Sequence, residues 1–262
     1  MPELPDVEVL RQHFYHSSLN KKIINIKKIE SSLLEGIDKK SFIDKLKGSN
    51  FTATARHGKY FFALTDKNIW LVLHFGMTGN FIYQRKKTEI PEHTRAYFEF
   101  SNSSISYICV RKLGMISLVS SKEEFINKKK LGPDAINISK KEFMKRIKNA
   151  KMIKSGLMDQ KSIAGIGNIY ADEILFQSKI HPKTKADKLD DRALEKLYEN
   201  IQKVLKTAID KKVNVDEFPS SWLIHKREEN EKCPGKYKGR VKKTKVNNRS
   251  AYYCPSCQKK VV

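Results

Sequence analysis

Three observations predict an α+β protein. Residues 22–120 hold runs that alternate apolar and polar with the period of strands. From Lys122 the apolar residues recur at the spacing of amphipathic helices. From His225 onward the chain turns strongly basic and holds three of its four cysteines. The expected order is a leading helix, an antiparallel β-sandwich ending near Ser121, a helical segment over 122–224 and a small C-terminal module over 225–262.

The opening "MPELPDVE" predicts a helix started by Pro5, because proline loses nothing in a first helical turn. Val7, Leu10 and Phe14 then share one apolar face. "KIINIKKIE", "FTATARHGKYFFALT", "NIWLVLHFGMTGNFIY", "AYFEF" and "ISYICVRKLGMISLVS" read as strands rich in Ile, Val, Phe and Tyr, broken by turn-prone "TDKN" and "SNSS". Ser139 is placed to cap a helix carrying Phe143 and Ile147. Leu194, Leu197, Ile201, Leu205 and Ala208 form a strong helical stripe. Between them, two short apolar helical stretches flank Gly165-Ile166-Gly167, a pair of glycines suited to a tight turn and a close backbone approach.

The chain has 262 residues, and 52 basic against 29 acidic side chains leave a formal charge of +23. A polyanionic partner follows, with nucleic acid the usual one. No apolar run is long enough to cross a membrane, and the acidic, helical start is unlike a signal peptide. The expectation is a soluble intracellular protein, cytoplasmic and working at the nucleoid. In a reducing compartment the clustered Cys233, Cys254 and Cys257 suggest metal before disulfide, while Cys109 stands apart in a strand.

"MPELPDVE", "RHGKY" at 56–60, "HFGMTG" at 74–79, "GIGNIYADE" at 165–173 and "RSAYYCPSCQ" at 249–258 follow one another over nearly the whole chain. Together they resemble the formamidopyrimidine-DNA glycosylases and the related endonuclease VIII enzymes. The resemblance implies an N-terminal catalytic β-sandwich over 1–121, a helix–two-turn–helix DNA-binding domain over 122–224 and a zinc-finger-like module over 225–262. It also implies a monomer that excises oxidised bases from double-stranded DNA and then cuts the strand at the abasic site.

On that resemblance Met1 is removed and Pro2 becomes the nucleophile. An α-amine has a pKa of about 8 against about 10.4 for lysine, so far more of it is unprotonated near neutrality. Glu3 matches the carboxyl that protonates the opening sugar, and Lys59 the lysine that contacts phosphate and assists elimination. The target base must leave the stack before its sugar can be reached. Met77 matches the wedge that fills the gap and Arg111 the arginine facing the orphaned base. Leu113 stands where purine-acting members carry an aromatic. His74, His93, Lys154 and Asn168 are the remaining expected DNA contacts, with the amides at the start of the Asn168 helix placed to accept a phosphate. Arg249 matches the phosphate-gripping arginine of the zinc finger.

The chain departs from the family pattern in three places. Asp6 replaces the usual Glu. Segment 210–232 lacks the long Gly-rich loop that covers a flipped purine in many relatives. Lys236 stands where the second cysteine of the first zinc pair belongs, so structural zinc has only Cys233, Cys254 and Cys257, with water, His225 or another group as fourth ligand. Packing of Val241, Val246, Tyr252 and Tyr253 could instead hold the hairpin without metal. Two alternatives to the leading reading stay open. One is an endonuclease VIII-like preference for oxidised pyrimidines. The other is a non-catalytic nucleic-acid-binding relative, against which Pro2, Glu3 and Lys59 argue together.

Overall fold

The computed structural model describes residues 1–85, 89–235 and 239–259. It divides into two compact units, Met1–Pro2 with Asp6–Lys129 and Glu3–Pro5 with Lys130–Val262.

The first unit is a sandwich of two four-stranded antiparallel sheets. One has the order β1 (Asn25–Ile29), β6 (Thr94–Glu99), β7 (Ser104–Cys109), β5 (Gly79–Gln84). The other runs β2 (Phe51–His57), β3 (Tyr60–Thr65), β4 (Trp70–His74), β8 (Met115–Val119). Alternation along the strands sends Phe61, Ala63, Leu71 and Leu73 of one sheet and Phe98, Ile105 and Tyr107 of the other into a common core. Helix α1 (Leu4–Ser18) adds Val7 and Phe14, both fully buried, and Phe14 lies 4.9 Å from Phe61 between ring centroids. Aromatic side chains dominate this core because each buries a large apolar surface against a thin two-layer interior.

Helix α2 (Lys39–Leu46), which the strand-dominated reading of this region did not contain, also covers this core. It is short, but it is locally well specified. The Asp38 carboxylate accepts from the Ser41 amide at 2.9 Å, and Phe42 and Leu46, one turn apart, are fully buried. On the outer face of the second sheet, Phe62 and Val72 are covered by Phe125 of α3 (Lys122–Lys128).

The second unit is helical with a terminal hairpin. Ser139 caps α4 (Lys140–Ile147) through the Glu142 amide, and Phe143 and Ile147 are buried as expected. After α5 (Ile153–Met158) and α6 (Asn168–Ser178) comes α7 (Asp191–Asp210), capped by Asp190. All five residues of the α7 stripe are fully buried, and the leucine and isoleucine side chains among them contribute about 1.5–3 kcal/mol each. The chain closes in the antiparallel hairpin β9 (Lys242–Val246) and β10 (Arg249–Tyr253). Among the described residues no helix is long and apolar enough to cross a membrane.

Candidate active site and nucleic-acid interface

Helix α6 begins directly after the two-glycine turn, and Glu3 lies on that beginning. Glu3 is 2% exposed, and its Oε2 accepts from the amides of Gly167 at 2.7 Å and Tyr170 at 3.3 Å while Oε1 accepts from Ile169 at 2.9 Å. The positive end of a helix and three converging N–H groups make this a seat for negative charge. Glycine is required on both sides of the turn. Gly165 sits at φ +116° with Leu4 packed against it, and a Cβ on Gly167 would collide with the Glu3 carboxyl. Gln160 braces the turn, accepting from Gly165 N at 2.9 Å and donating to Ile166 O at 2.8 Å. The helix-start amides expected to bind phosphate are thus largely taken by a carboxylate of the chain itself. Asn168, the first residue of α6, has a buried Oδ1 with no hydrogen-bond partner.

One turn further along α6, Asp172 organises a buried ionic group. Its Oδ1 is 2.6 Å from Lys154 Nζ, and neither side chain has exposed surface. Its Oδ2 accepts from Arg227 Nε at 3.0 Å, Arg227 Nη2 at 2.8 Å and the Tyr252 amide at 3.2 Å. Lys154 also donates to the Ser250 carbonyl at 2.8 Å. Burial pushes the Asp172 carboxyl up and the Lys154 ammonium down, but each also has an opposite charge in contact, and the carboxylate faces two cations. Lys154 was expected to touch DNA; in this structure its side chain has no exposed surface and is directed to Asp172 and Ser250. Arg249, at the start of β10, is exposed, and its side chain makes no hydrogen bond or ion pair among the described residues. The next residue of α6, Glu173, accepts from Ile224 N at 2.9 Å and Gln177 Nε2 at 2.7 Å. Burial pushes its carboxyl up to about 7.

The first unit carries the other expected residues. Pro2 is half-buried. Lys59 follows Gly58, at φ +56°, in the turn between β2 and β3 and is only 7% exposed, unlike an ordinary surface lysine. His74 ends β4; burial and the Lys59 and Lys129 charges lower its pKa to about 4, so it is neutral at pH 7. Its Nδ1 accepts from Gly76 N at 3.1 Å, leaving Nε2 as the N–H donor. His93 is exposed, adopts φ +57° and lies 3.6 Å from Glu92.

Loops 75–79 and 110–114 pack backbone against backbone. Gly76 has φ +60°, and a Cβ there would come within 2.5 Å of the Leu113 carbonyl. Arg111 N donates to Thr78 Oγ1 at 3.3 Å, and the Tyr107 hydroxyl ties in His74 O at 3.1 Å. These contacts fix the loops together while Met77 (41% exposed), Leu113 (53%) and Arg111 project outward. Large apolar side chains held on a rigid pair of loops can enter a base stack.

Residues 1–116 match the formamidopyrimidine-DNA glycosylase N-terminal domain and residues 131–218 the formamidopyrimidine-DNA glycosylase H2TH domain. The formamidopyrimidine-DNA glycosylase of Ligilactobacillus salivarius is 32% identical over 98% of this chain and 99% of its own. The chain belongs to the formamidopyrimidine-DNA glycosylase family. Among solved structures, MutM in complex with carbocyclic 8-oxo-G containing DNA is similar at TM-score 0.89 and 28% identity, covering 99% of this chain and 100% of that one. Lactococcus lactis Fpg in complex with abasic site containing DNA is similar at TM-score 0.88 and 27% identity, covering 98% and 100%.

This member of the family brings Cys233, Cys254 and Cys257 together, with their Sγ atoms within 4.8 Å of one another and Cys233 3.5 Å from Cys257. Burial pushes the Cys233 thiol up to about 12. At Cys254 burial acts the same way, but hydrogen bonds from the other two thiols and from backbone amides outweigh it and lower its pKa. Gly235 and Gly239 leave the space around the sulfurs; a Cβ on either would come within 3.1 Å of one of them. Three converging thiols could bind a metal ion as three of its ligands. His225 does not join them. Its Nε2 contacts the carbonyls of Phe218 and Pro219 at 3.3 and 3.2 Å, which removes the named candidate for a fourth ligand. Lys236 lies outside the described residues. Cys109 is buried in the sandwich, with its Sγ 3.9 Å from Phe75 O.

The sequence reading did not single out Asp172, Arg227, Thr78 or Gln160. Asp172 had a signal, a carboxylate four residues after Asn168 and so on the same helical face. Arg227 sits in a charged run that offers no pattern.

Proposed function

We propose that this chain is a bifunctional DNA glycosylase and abasic-site lyase that removes 8-oxoguanine and formamidopyrimidine bases from double-stranded DNA. The observation that carries the reading is the seat of Glu3, the residue after Pro2, whose carboxylate is held by three amides at the start of α6, those of Gly167, Ile169 and Tyr170.

With Met1 removed, the neutral Pro2 nitrogen attacks C1′ of the damaged nucleotide, and the base leaves with the electron pair of the broken bond and takes a proton from water. The nitrogen sheds its proton as the ring opens, O4′ gains one, and the Glu3 carboxylate is the relay between them. The resulting iminium acidifies the C2′ hydrogen; loss of that proton to water expels the 3′-phosphate by β-elimination, and loss of the C4′ proton from the conjugated product expels the 5′-phosphate by δ-elimination. Lys59 and Arg249 hold phosphates during these steps, and Asn168 and the neutral His74 donate to the backbone. His93 is a further backbone contact. Met77 and Leu113 fill the gap left by the extruded base, and Arg111 faces its former partner.

We read residues 1–121 as the catalytic domain, 122–224 as the helix–two-turn–helix domain and 225–262 as a zinc-finger-like module. Zinc is the proposed ion for Cys233, Cys254 and Cys257, where it would fix the hairpin that presents Arg249. The protein is proposed to act as a monomer on the cytoplasmic nucleoid.

Borohydride trapping on DNA with 8-oxoguanine or an abasic site tests the reading. Processed protein should form a covalent adduct through Pro2, and protein that retains Met1 should not. Full trapping by the blocked protein would overturn the assignment of Pro2.

A further inference from the structure

Along α6, Asn168, Asp172 and Phe176 stand four residues apart and share one face. The last two of these support the C-terminal hairpin. Phe176 packs with Leu223, Val241 and Cys254 beneath it. Asp172 binds the hairpin through the Tyr252 amide at 3.2 Å and, through Lys154, reaches the Ser250 carbonyl. Arg227 closes the group, donating twice to Asp172 and stacking its guanidinium 4.7 Å from the centroid of the Tyr252 ring.

We infer that Arg227, together with Asp172, is a positioning residue that sets the place of Arg249 relative to Asn168. The inference rests on the reading of Arg249 and Asn168 as backbone-gripping residues. Both ends of the link are then functional. Asn168 starts the helix that carries Asp172, and Arg249 is the residue before Ser250, whose carbonyl Lys154 holds. Two phosphates of one strand have a fixed separation, so the two groups that grip them must be held at a matching separation.

Hairpin β9–β10 is only two strands, and such a ribbon is marginal without support. With three thiols brought together among the described residues, one short of a closed tetrahedral set, more of that support falls on the ionic group. The chemistry of the link is directional. A carboxylate that accepts two N–H bonds from one guanidinium fixes its plane, and a guanidinium plane stacked on a ring fixes that ring in turn. A lysine would supply the charge without the plane. Arg227 is 19% exposed on its side chain, so its removal opens the group at the edge, not at the centre.

The test is a double-mutant cycle on the full chain, read as affinity and salt slope on duplex DNA with a tetrahydrofuran abasic analogue. Arg249→Ala should lower affinity and reduce the salt slope by about one. Arg227→Ala should lower affinity by about tenfold, since a small misplacement of a gripping group is costly. The double variant should lose little more than Arg249→Ala alone, because a residue acting through Arg249 has nothing left to act on. Arg227→Lys should recover only part of the loss. On cleavable DNA, the loss in Arg227→Ala should fall on KM more than on kcat.

Additive losses in the double variant, or unchanged affinity in Arg227→Ala beside a weakened Arg249→Ala, overturn the inference and leave the proposed function standing. No effect of Arg249→Ala would remove Arg249 from the interface, and the inference with it. Melting curves of each variant identify loss of fold, and Arg227→Lys keeps the test valid where the alanine variant unfolds.

Discussion

The amide of Gly167 donates to the carboxylate of Glu3 at 2.7 Å, and no side chain at residue 167 is compatible with that contact. Gly167→Ala should therefore displace Glu3 while leaving the rest of α6 intact. The expected result is a folded protein with base excision reduced by about a hundredfold, the scale at which small displacements of reacting groups act. Single-turnover kinetics with a melting curve check it. Excision within a fewfold of the parent would mean that the seat of Glu3 is not needed.

Stability should fall as pH rises through the range set by Glu173. Burial raises its folded pKa from 4.5 to about 7. Below 4.5 both folded and unfolded chains are protonated, and the group carries no penalty. Between the two values the unfolded chain ionises first, so folding loses about 1.4 kcal/mol per pH unit from this group, and about 3 kcal/mol in total above 7. Denaturant midpoints from pH 4.5 to 7.5 should show a shallower decline in Glu173→Gln. Parallel curves would contradict the assignment.

Met77 should matter for bases and much less for abasic sites. Extruding a base requires a group to fill the stack, and an abasic sugar has no base to extrude. Met77→Ala is expected to slow 8-oxoguanine excision about tenfold, at the scale of one lost stacking contact, with abasic cleavage reduced by less than about threefold. Equal losses on both substrates would exclude a wedge. The same panel, extended to oxidised pyrimidines, shows which lesion class a leucine at 113 favours.

The hairpin should survive loss of metal better than a four-thiolate finger. Ala251 within it and Val241 just before it are fully buried, and the Asp172 group holds it to α6. After chelation the protein is expected to keep DNA binding within about tenfold, because a three-thiolate site supplies less of the folding energy than a closed tetrahedral one. Elemental analysis before and after chelation, with binding measured in parallel, checks this. Stoichiometric zinc and complete loss of binding on stripping would show a fourth ligand at work.

What the sequence disclosed depended on the distance over which each feature is encoded. The hairpin β2–β3 and the stripe of α7 are set by neighbours in the chain, and both were readable from periodicity. Helix α2 was missed because eight residues offer barely two turns of pattern. The motif "GIGNIYADE" pointed to the right turn, but it suggested amides open to phosphate. Their true partner, Glu3, lies 164 residues away from Gly167, beyond any local pattern. Lys154 was placed by its likeness to a family motif, and only the fold brings Asp172 and Ser250 around it.

The seat of Glu3 also orders events during synthesis. Its three donors are made only after Tyr170 has left the ribosome, roughly ten to thirty seconds after the first residues at ordinary elongation rates. Throughout that interval the Glu3 carboxylate has none of these three partners. A segment whose anchor is translated late therefore spends most of synthesis without it.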